Sequence, residues 1–412
     1  MSGLRRLLGA AIPVPELPAR QTAALVELDG VLDGVAELAP EHDFIGRYPT
    51  RSVELLKDSG ILALSVPAEF GGVGAGHRAS LEAQLRIGMA DSAVAQLFKI
   101  HDELVREIFV YCPPELAGPL ATRIVEDRHV LGLAVAEAGP RVDTPWTTTS
   151  IPNDIGWQID GVKIYTTGAA EADEIATWTF DPTAPGIDTN PLLGARLFLV
   201  PRGSPGVTVH RDWDAMGQRA TDSGTVGFEA VQAAEVWLAN VAGAAPLPDS
   251  SLRYQAGFAA VSVGIGLAAL AAAAPFVGDC SRPWPSAGVD RASDDPMVRR
   301  TAGRLVADLV AAYHATMATA SLLDGFRSGS VARIDVAIPV YAAKAAATRA
   351  MLDATTEMFS LMGTRSVARV NGFDRYWRNA RTLSLHDPNE WKHVELGRHV
   401  LSGWDPEPGI YQ

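Results

Sequence analysis

Near the C-terminus, the run Arg375-Tyr-Trp-Arg-Asn-Ala-Arg-Thr-Leu-Ser-Leu-His-Asp-Pro388 gathers three arginines, one histidine and one aspartate at the end of a hydrophobic stretch. Charged groups that dense beside apolar sequence are costly unless they are used. The arginines can hold anions or pair with carboxylates such as Asp374. His386, whose free pKa is about 6.5, can give or take a proton at neutral pH. Asp387 adds a carboxylate, and Pro388 stiffens the backbone behind it.

The elements that position these groups follow from periodicity. From about residue 20 to 130 apolar residues recur three and four apart, as in Val53-Glu-Leu-Leu-Lys57 and Ala79 to Met89, which predicts helices. Val66-Pro-Ala-Glu-Phe-Gly-Gly-Val-Gly74 breaks them with a glycine turn. From about 131 to 240 the period becomes two. Gly156 to Tyr165 predicts a hairpin turned at Asp160-Gly161, with further strands at 196–200, 207–209 and 224–228. Beyond about 250, alanine-rich helices are expected over 254–277, 295–326 and 334–361, separated by Ser281-Arg-Pro-Trp-Pro285 and Gly325 to Gly329. The expected organisation is α+β: an N-terminal helical domain (1–130), a middle β domain (131–240) and a C-terminal helical bundle (241–412). A cleft between sheet and bundle would suit a cofactor.

Composition limits the function. With 47% hydrophobic and 20% charged residues, the chain has enough apolar sequence for a large core. A net charge of -13 speaks against nucleic acid. Cys112 and Cys280 stand far apart with no metal-ligand spacing, so no metal is expected and a reducing cytoplasm fits. Arg5-Arg6 before Leu7–Ile12 is too brief for a signal-peptide core. The uncharged segment 258–277 is long enough to cross a bilayer, but its alanines and glycines favour a buried central helix that neighbours approach closely; no membrane is expected. Gly264-Ile-Gly266-Leu-Ala-Ala269 matches the dinucleotide fingerprint formally. It lacks a preceding strand and a following acidic residue, so no built-in nicotinamide site is expected.

Pro67-Ala-Glu-Phe-Gly-Gly-Val-Gly74, Ala136-Glu137, Gly161-Val-Lys-Ile-Tyr-Thr-Thr-Gly168, Val200 to Gly206 and Trp213 to Gly224 resemble, in order and spacing, the signatures of the acyl-CoA dehydrogenase superfamily. That resemblance spans roughly residues 50 to 403 and implies a C-terminal four-helix bundle. Within it, Trp377 to Pro388 resembles the flavin-dependent monooxygenases related to dibenzothiophene monooxygenase and to sulfur-acquisition oxygenases. Dehydrogenases resemble R-D-A followed by Y-E-G, which falls here on Arg378 and on His386, Asp387 and Pro388. Asp387 is one methylene shorter than the glutamate base, whereas His386 suits proton transfer to a flavin peroxide or a substrate hydroxyl.

The resemblance therefore implies a two-component monooxygenase. Reduced FMN (or FAD) from a separate NAD(P)H:flavin reductase would react with O2 to a C4a-hydroperoxyflavin, which would oxygenate a small, largely apolar substrate in a water-excluding cavity. His386 and Asp387 become catalytic candidates. His101 is a second histidine candidate, its alternative being an ordinary exposed helix histidine. Cofactor contacts are implied for Glu137 and for Tyr165, Thr166 and Thr167 at a strand end, where the alternative is that threonines are simply good strand residues. Arg282 and Trp284 would reach the flavin phosphate of a neighbouring subunit, and Met362-Gly363-Thr364 would approach it too. This implies a homotetramer or dimer of dimers. The alternatives are an FAD-dependent acyl-CoA dehydrogenase with Asp387 or Glu357 as base, and an inactive flavin- or CoA-binding scaffold.

Overall fold

The computed structural model describes residues 16–139, 146–239 and 249–408. Leu7–Ile12, with Arg5 and Arg6, and part of the run after Glu137 lie outside these residues.

Five helices come first: α1 (Ala19–Ile45), α2 (Thr50–Asp58), α3 (His77–Ala90), α4 (Ser92–Tyr111) and α5 (Pro114–Val125). Asp91 starts α4 by accepting the amides of Ala93 at 2.8 Å and Val94 at 3.4 Å. Between α2 and α3, Gly72 lies so close to Val66 that a Cβ would sit 2.2 Å from its carbonyl oxygen, which explains the glycine pair.

Eight strands follow: β1 (Leu131–Ala134), β2 (Thr149–Asn153), β3 (Gly156–Lys163), β4 (Glu174–Phe180), β5 (Ala195–Pro201), β6 (Val207–His210), β7 (Thr225–Ala233) and β8 (Leu238–Ala239). They form one sheet in the order β6-β7-β3-β2-β4-β5-β8, with β1 parallel to β4. The hairpin expected at Asp160-Gly161 is displaced: β2 and β3 turn between Asn153 and Gly156, and Asp160 makes a bulge inside β3. Asp160 accepts the Ala230 amide at 2.7 Å, and Gly161 holds φ 148° with Thr148 too close for any Cβ. The Asp-Gly pair thus serves close backbone approach, which carries the same residue signature as a turn.

The last part comprises α6 (Ser250–Asp279), α7 (Pro296–Arg327), α8 (Arg333–Met362), α9 (Asp374–Leu383) and α10 (Asn389–Ser402). Helix α6 is the hub of the bundle, packed against α3, α4, α7, α8 and α9. Its small residues permit this. A Cβ on Gly264 would lie 2.5 Å from the Leu85 carbonyl oxygen, and one on Gly266 2.5 Å from a Leu309 methyl. The glycines of the apparent dinucleotide fingerprint are therefore helix-packing contacts in mid-helix. Although α6 is apolar enough to span a membrane, most of it is buried inside the protein.

Candidate active site

After α9, Leu383 accepts the His386 amide at 3.1 Å, so the chain turns at Ser384–Asp387 before α10 begins. The turn sets the imidazole 4.2 Å, centroid to centroid, from the ring of Phe258 on α6. His386 keeps 43% of its side chain accessible, yet burial is the largest influence on its titration. A side chain both reachable and surrounded by protein lines a cleft. Burial, with the ammonium groups of Lys99 and Lys344, lowers its pKa below the free value; Asp387 acts the other way without prevailing. The ring is thus neutral at pH 7 and able to accept a proton.

Asp387 faces inward. Its carboxylate accepts the Gln255 amide at 3.1 Å and lies 3.9 Å from Lys344 and 3.7 Å from the His386 ring. Burial raises its pKa, but His386 and Lys344 outweigh that and hold it at about 2. A carboxylate so acidic and so engaged is a poor base for a carbon-bound proton. Glu357 lies thirteen residues beyond Lys344 on α8, about 20 Å along the helix.

A polar wall stands where the sheet meets α4. Tyr165, at 64% exposure, adopts φ 54° and meets Trp213 edge-on at 6.0 Å. Thr166 donates to the Gly224 carbonyl at 2.7 Å, and the hydroxyls of Thr167 and Ser223 are 3.0 Å apart. Gln96 of α4 reaches Thr167 at 3.4 Å and accepts from Gln218 at 2.8 Å. Gln218 also receives the Ser92 hydroxyl at 2.7 Å, and Asn379 of α9 accepts the Gln218 amide at 2.7 Å while donating to Ser92 at 2.9 Å. This chain of hydrogen bonds ties α4, the loop before β7, and α9 together beside Thr167. Gln218 (φ 49°) and Asp222 (φ 45°) are left-handed like Tyr165, so backbone strain is concentrated here, as it commonly is at functional sites. Neutral hydroxyls, side-chain amides and backbone groups with no carboxylate among them match the polar edge of a flavin ring.

The remaining sequence candidates divide into three groups. Arg282, Trp284, Met362, Gly363 and Thr364 gather at the far end of the bundle. There Ser281 donates to the Met362 carbonyl at 2.8 Å and Arg365 to the Cys280 carbonyl at 3.1 Å. That end lies roughly 30 Å along α6 from Phe258, so a single chain does not bring the two groups together.

His101 is a correction. It is fully buried, its Nε2 lies 3.0 Å from the Leu62 carbonyl, and its Nδ1 accepts the Leu131 amide at 3.1 Å. One ring nitrogen ties α4 to the Leu62 segment between α2 and α3 and the other ties it to β1, which leaves none for catalysis. Glu137 is also committed internally. Lys163 donates to it at 2.6 Å, as do the Thr147 amide and hydroxyl and the Thr148 amide, and these contacts hold its pKa at about 2 against burial. It braces the segment after β1 to the end of β3 and to Thr147 and Thr148.

Several site residues gave little sign in the sequence. Gln96 is a common polar residue outside every motif; Gln218 and Ser223 lie within Trp213 to Gly224 and Asn379 within Trp377 to Pro388, but their meeting depends on tertiary structure. Phe258 sits in a run that reads as core. Lys99 stands with Gln96 in the otherwise apolar Ala93–Ile100 run, which marks it as unusual without giving it a role. Among the described residues, no group of three or more His, Cys, Asp or Glu is placed to hold a metal.

Residues 31–118, 132–231 and 256–391 match the N-terminal, middle and C-terminal domains of acyl-CoA dehydrogenase. The chain is 32% identical over 389 residues to dibenzothiophene monooxygenase of Mycolicibacterium goodii, covering 90% of this chain and 91% of that one. It is 30% identical over 415 residues to a Pseudomonas putida protein named "Probable FMNH2-dependent monooxygenase SfnC", covering 98% and 100%. Among solved structures it resembles FMN-bound TdsC, a dibenzothiophene monooxygenase of Paenibacillus sp. A11-2, with TM-score 0.87, 29% identity and coverage of 94% and 100%. It also resembles the methanesulfinate monooxygenase MsuC of Pseudomonas fluorescens, with TM-score 0.84, 28% identity and coverage of 96% and 100%.

Proposed function

Because the chain belongs to the acyl-CoA dehydrogenase family, on its flavin-dependent monooxygenase branch, we propose that it is the oxygenase of a two-component system, with His386 as its proton-handling residue. It is a flavin-dependent monooxygenase that uses reduced FMN and O2 on a small organic substrate. When bound, reduced FMN activates O2, so that one oxygen atom enters the substrate and the other leaves as water.

The residues present fit that cofactor. Thr166, Thr167, Ser223 and Gln96 would hold the polar side of the ring, with Tyr165 at its rim. Arg282 and the Met362-Gly363-Thr364 turn would serve the phosphate of a neighbouring copy, since they lie far along the bundle from this wall. Phe258 and the buried face of α6 provide an apolar surface that keeps water from the reacting atoms. His386 holds or releases a proton at an imidazole nitrogen beside them. Asp387, tied to Gln255 and Lys344, orients the turn.

The observation that carries this reading is the pairing at residues 386 and 387: an accessible neutral imidazole beside a buried carboxylate that accepts from Gln255 and is held acidic by His386 and Lys344. Thioester oxidation would need the reverse. A separate NAD(P)H:flavin reductase is inferred as the source of reduced FMN, in keeping with the FMNH2-dependence in the name of the Pseudomonas putida relative. A homotetramer or dimer of dimers is inferred from the separation of the two flavin-contact groups. A cytoplasmic location is inferred with α6 as a core helix. The sulfur compounds named for the relatives make organosulfur substrates the first to test.

The test is to supply the protein with reduced FMN, 18O2 and a panel of aromatic sulfides and sulfinates, and to weigh the products. Incorporation of one 18O atom is expected. A protein that instead binds FAD tightly and bleaches with an acyl-CoA, without labelled product, would overturn the reading.

A further inference from the structure

Lys99 occupies one face of α4, a turn beyond Gln96 and a turn before Glu103, so it lies between the flavin-facing wall and the buried ion pairs of α6. Its side chain is fully buried and, among the described residues, its ammonium has no hydrogen-bond partner. Two aromatic rings flank it. The nitrogen stands 4.2 Å from the ring centroid of Tyr254 and 3.8 Å from that of Phe258, residues four apart on one face of α6. Gly257 lies between them. A Cβ there would come within 3.0 Å of Lys99 Cε and 3.3 Å of its Cγ, so α6 has no side chain where the lysine stem crosses it.

An interior ammonium without an acceptor is disfavoured, and a methionine would fill the same space without a charge to desolvate. The two ring faces return part of that cost. Phe258 then passes the arrangement on, because its other neighbours are the His386 ring at 4.2 Å and the Lys344 ammonium at 5.2 Å. The charged groups around His386 are Asp387 on its own turn, Lys99 from α4 and Lys344 from α8; α6 contributes only Phe258 and the uncharged Gln255. Lys392 of α10 acts on Asp387 behind them. Around Lys99 the acids are Glu103, which Arg253 holds at 2.7 Å, and Asp387, with Lys344 and Arg253 as the other cations.

We propose that Lys99 is a positioning residue for His386: gripped between Tyr254 and Phe258, its ammonium fixes the ring against which the imidazole packs at a 42° tilt and biases that imidazole toward its neutral form. The directions of titration agree. Burial lowers Lys99 to about 7, so its charge is complete on the acid side, where His386 would otherwise take up a proton. The consequence for oxygenation rests on the function proposed above, whereas the charge relation itself is a property of the protein without flavin.

The experiment therefore uses the flavin-free protein, with histidines 13C-labelled and His386 assigned by loss of its signal in H386N. Lys99→Met should raise the pKa of His386 by about half a unit or more, while Lys99→Arg leaves it near the unaltered value. An unchanged His386 titration in a folded Lys99→Met protein overturns the proposal. A second measurement needs no variant: with 13Cε-labelled lysine, one lysine should titrate near 7, accompanied by a matching inflection in the His386 signal. A His386 signal without that inflection also overturns it. Neither result depends on whether the protein oxygenates anything.

Discussion

The two residues proposed for the chemistry are neighbours in opposite settings. His386 is accessible and kept neutral, whereas Asp387 is buried, acidic and paired with Gln255 and Lys344. If the imidazole manages the proton in oxygen transfer, removing it should leave O2 consumption intact and misdirect its outcome. For His386→Ala we expect product formation to fall by about a hundredfold or more, the usual scale for a lost acid-base group, with hydrogen peroxide accounting for the O2 consumed. Peroxide and product measured together decide this; unchanged coupling would remove His386 from the mechanism. In the unaltered enzyme, the loss of rate on acidification should come below about pH 6.5, because burial and the two lysines lower the imidazole pKa. His386 was legible in the sequence because the whole motif around it is local. Lys99 and Gln96 were not, because their meaning depends on Tyr254, Phe258 and Thr167, which folding brings to them from distant positions.

At the scale of elements, the packing of α4 on α6 sets the distance between Lys99 and Phe258. Below Lys99 these helices are joined by Arg253, which contacts Glu103 at 2.7 Å, Asp249 at 3.2 Å and Glu107 at 3.5 Å. One arginine shared by three buried carboxylates leaves an excess of negative charge. Burial accordingly pushes Glu107 up to about 7. An acid raised in the folded state binds its proton more tightly there than in the unfolded chain, so stability falls as pH rises from about 4.5 to about 7. The shift corresponds to a penalty on the order of 3 kcal/mol above that window. Glu107→Gln should therefore gain melting temperature relative to the parent at pH 8 by several degrees more than at pH 5, as read by thermal denaturation at both pH values. An equal effect at both would show that Glu107 is not protonated on folding. The helices themselves were legible because apolar spacing is a local property. The bulge in β3 was not, since Asp160-Gly161 has the composition of a turn and only the Ala230 amide and the approach of Thr148 decide between the two.

At the scale of the whole molecule, the residues proposed to contact flavin lie in two groups that one chain keeps apart. The sheet-side wall is at one end of α6, and Arg282 and Gly363 are at the other, roughly 30 Å away. The second end is open, with Trp284 at 74% exposure. Helix α10 carries Trp391, Val394 and Leu401 on one exposed face, Trp391 at 62% and Leu401 at 88%, an apolar stripe of the kind that a second copy covers. If a neighbouring copy completes the flavin site, assembly and cofactor binding separate by mutation. Arg282→Ala should leave the assembled mass unchanged in light scattering and weaken FMN binding by about tenfold to a hundredfold, the scale of one charge-assisted hydrogen bond. Leu401→Lys, far from both flavin groups in sequence, should lower the assembled mass and weaken FMN together. A protein that runs at 43.7 kDa and binds FMN equally well with and without Arg282 would mean that each chain forms its cofactor site alone.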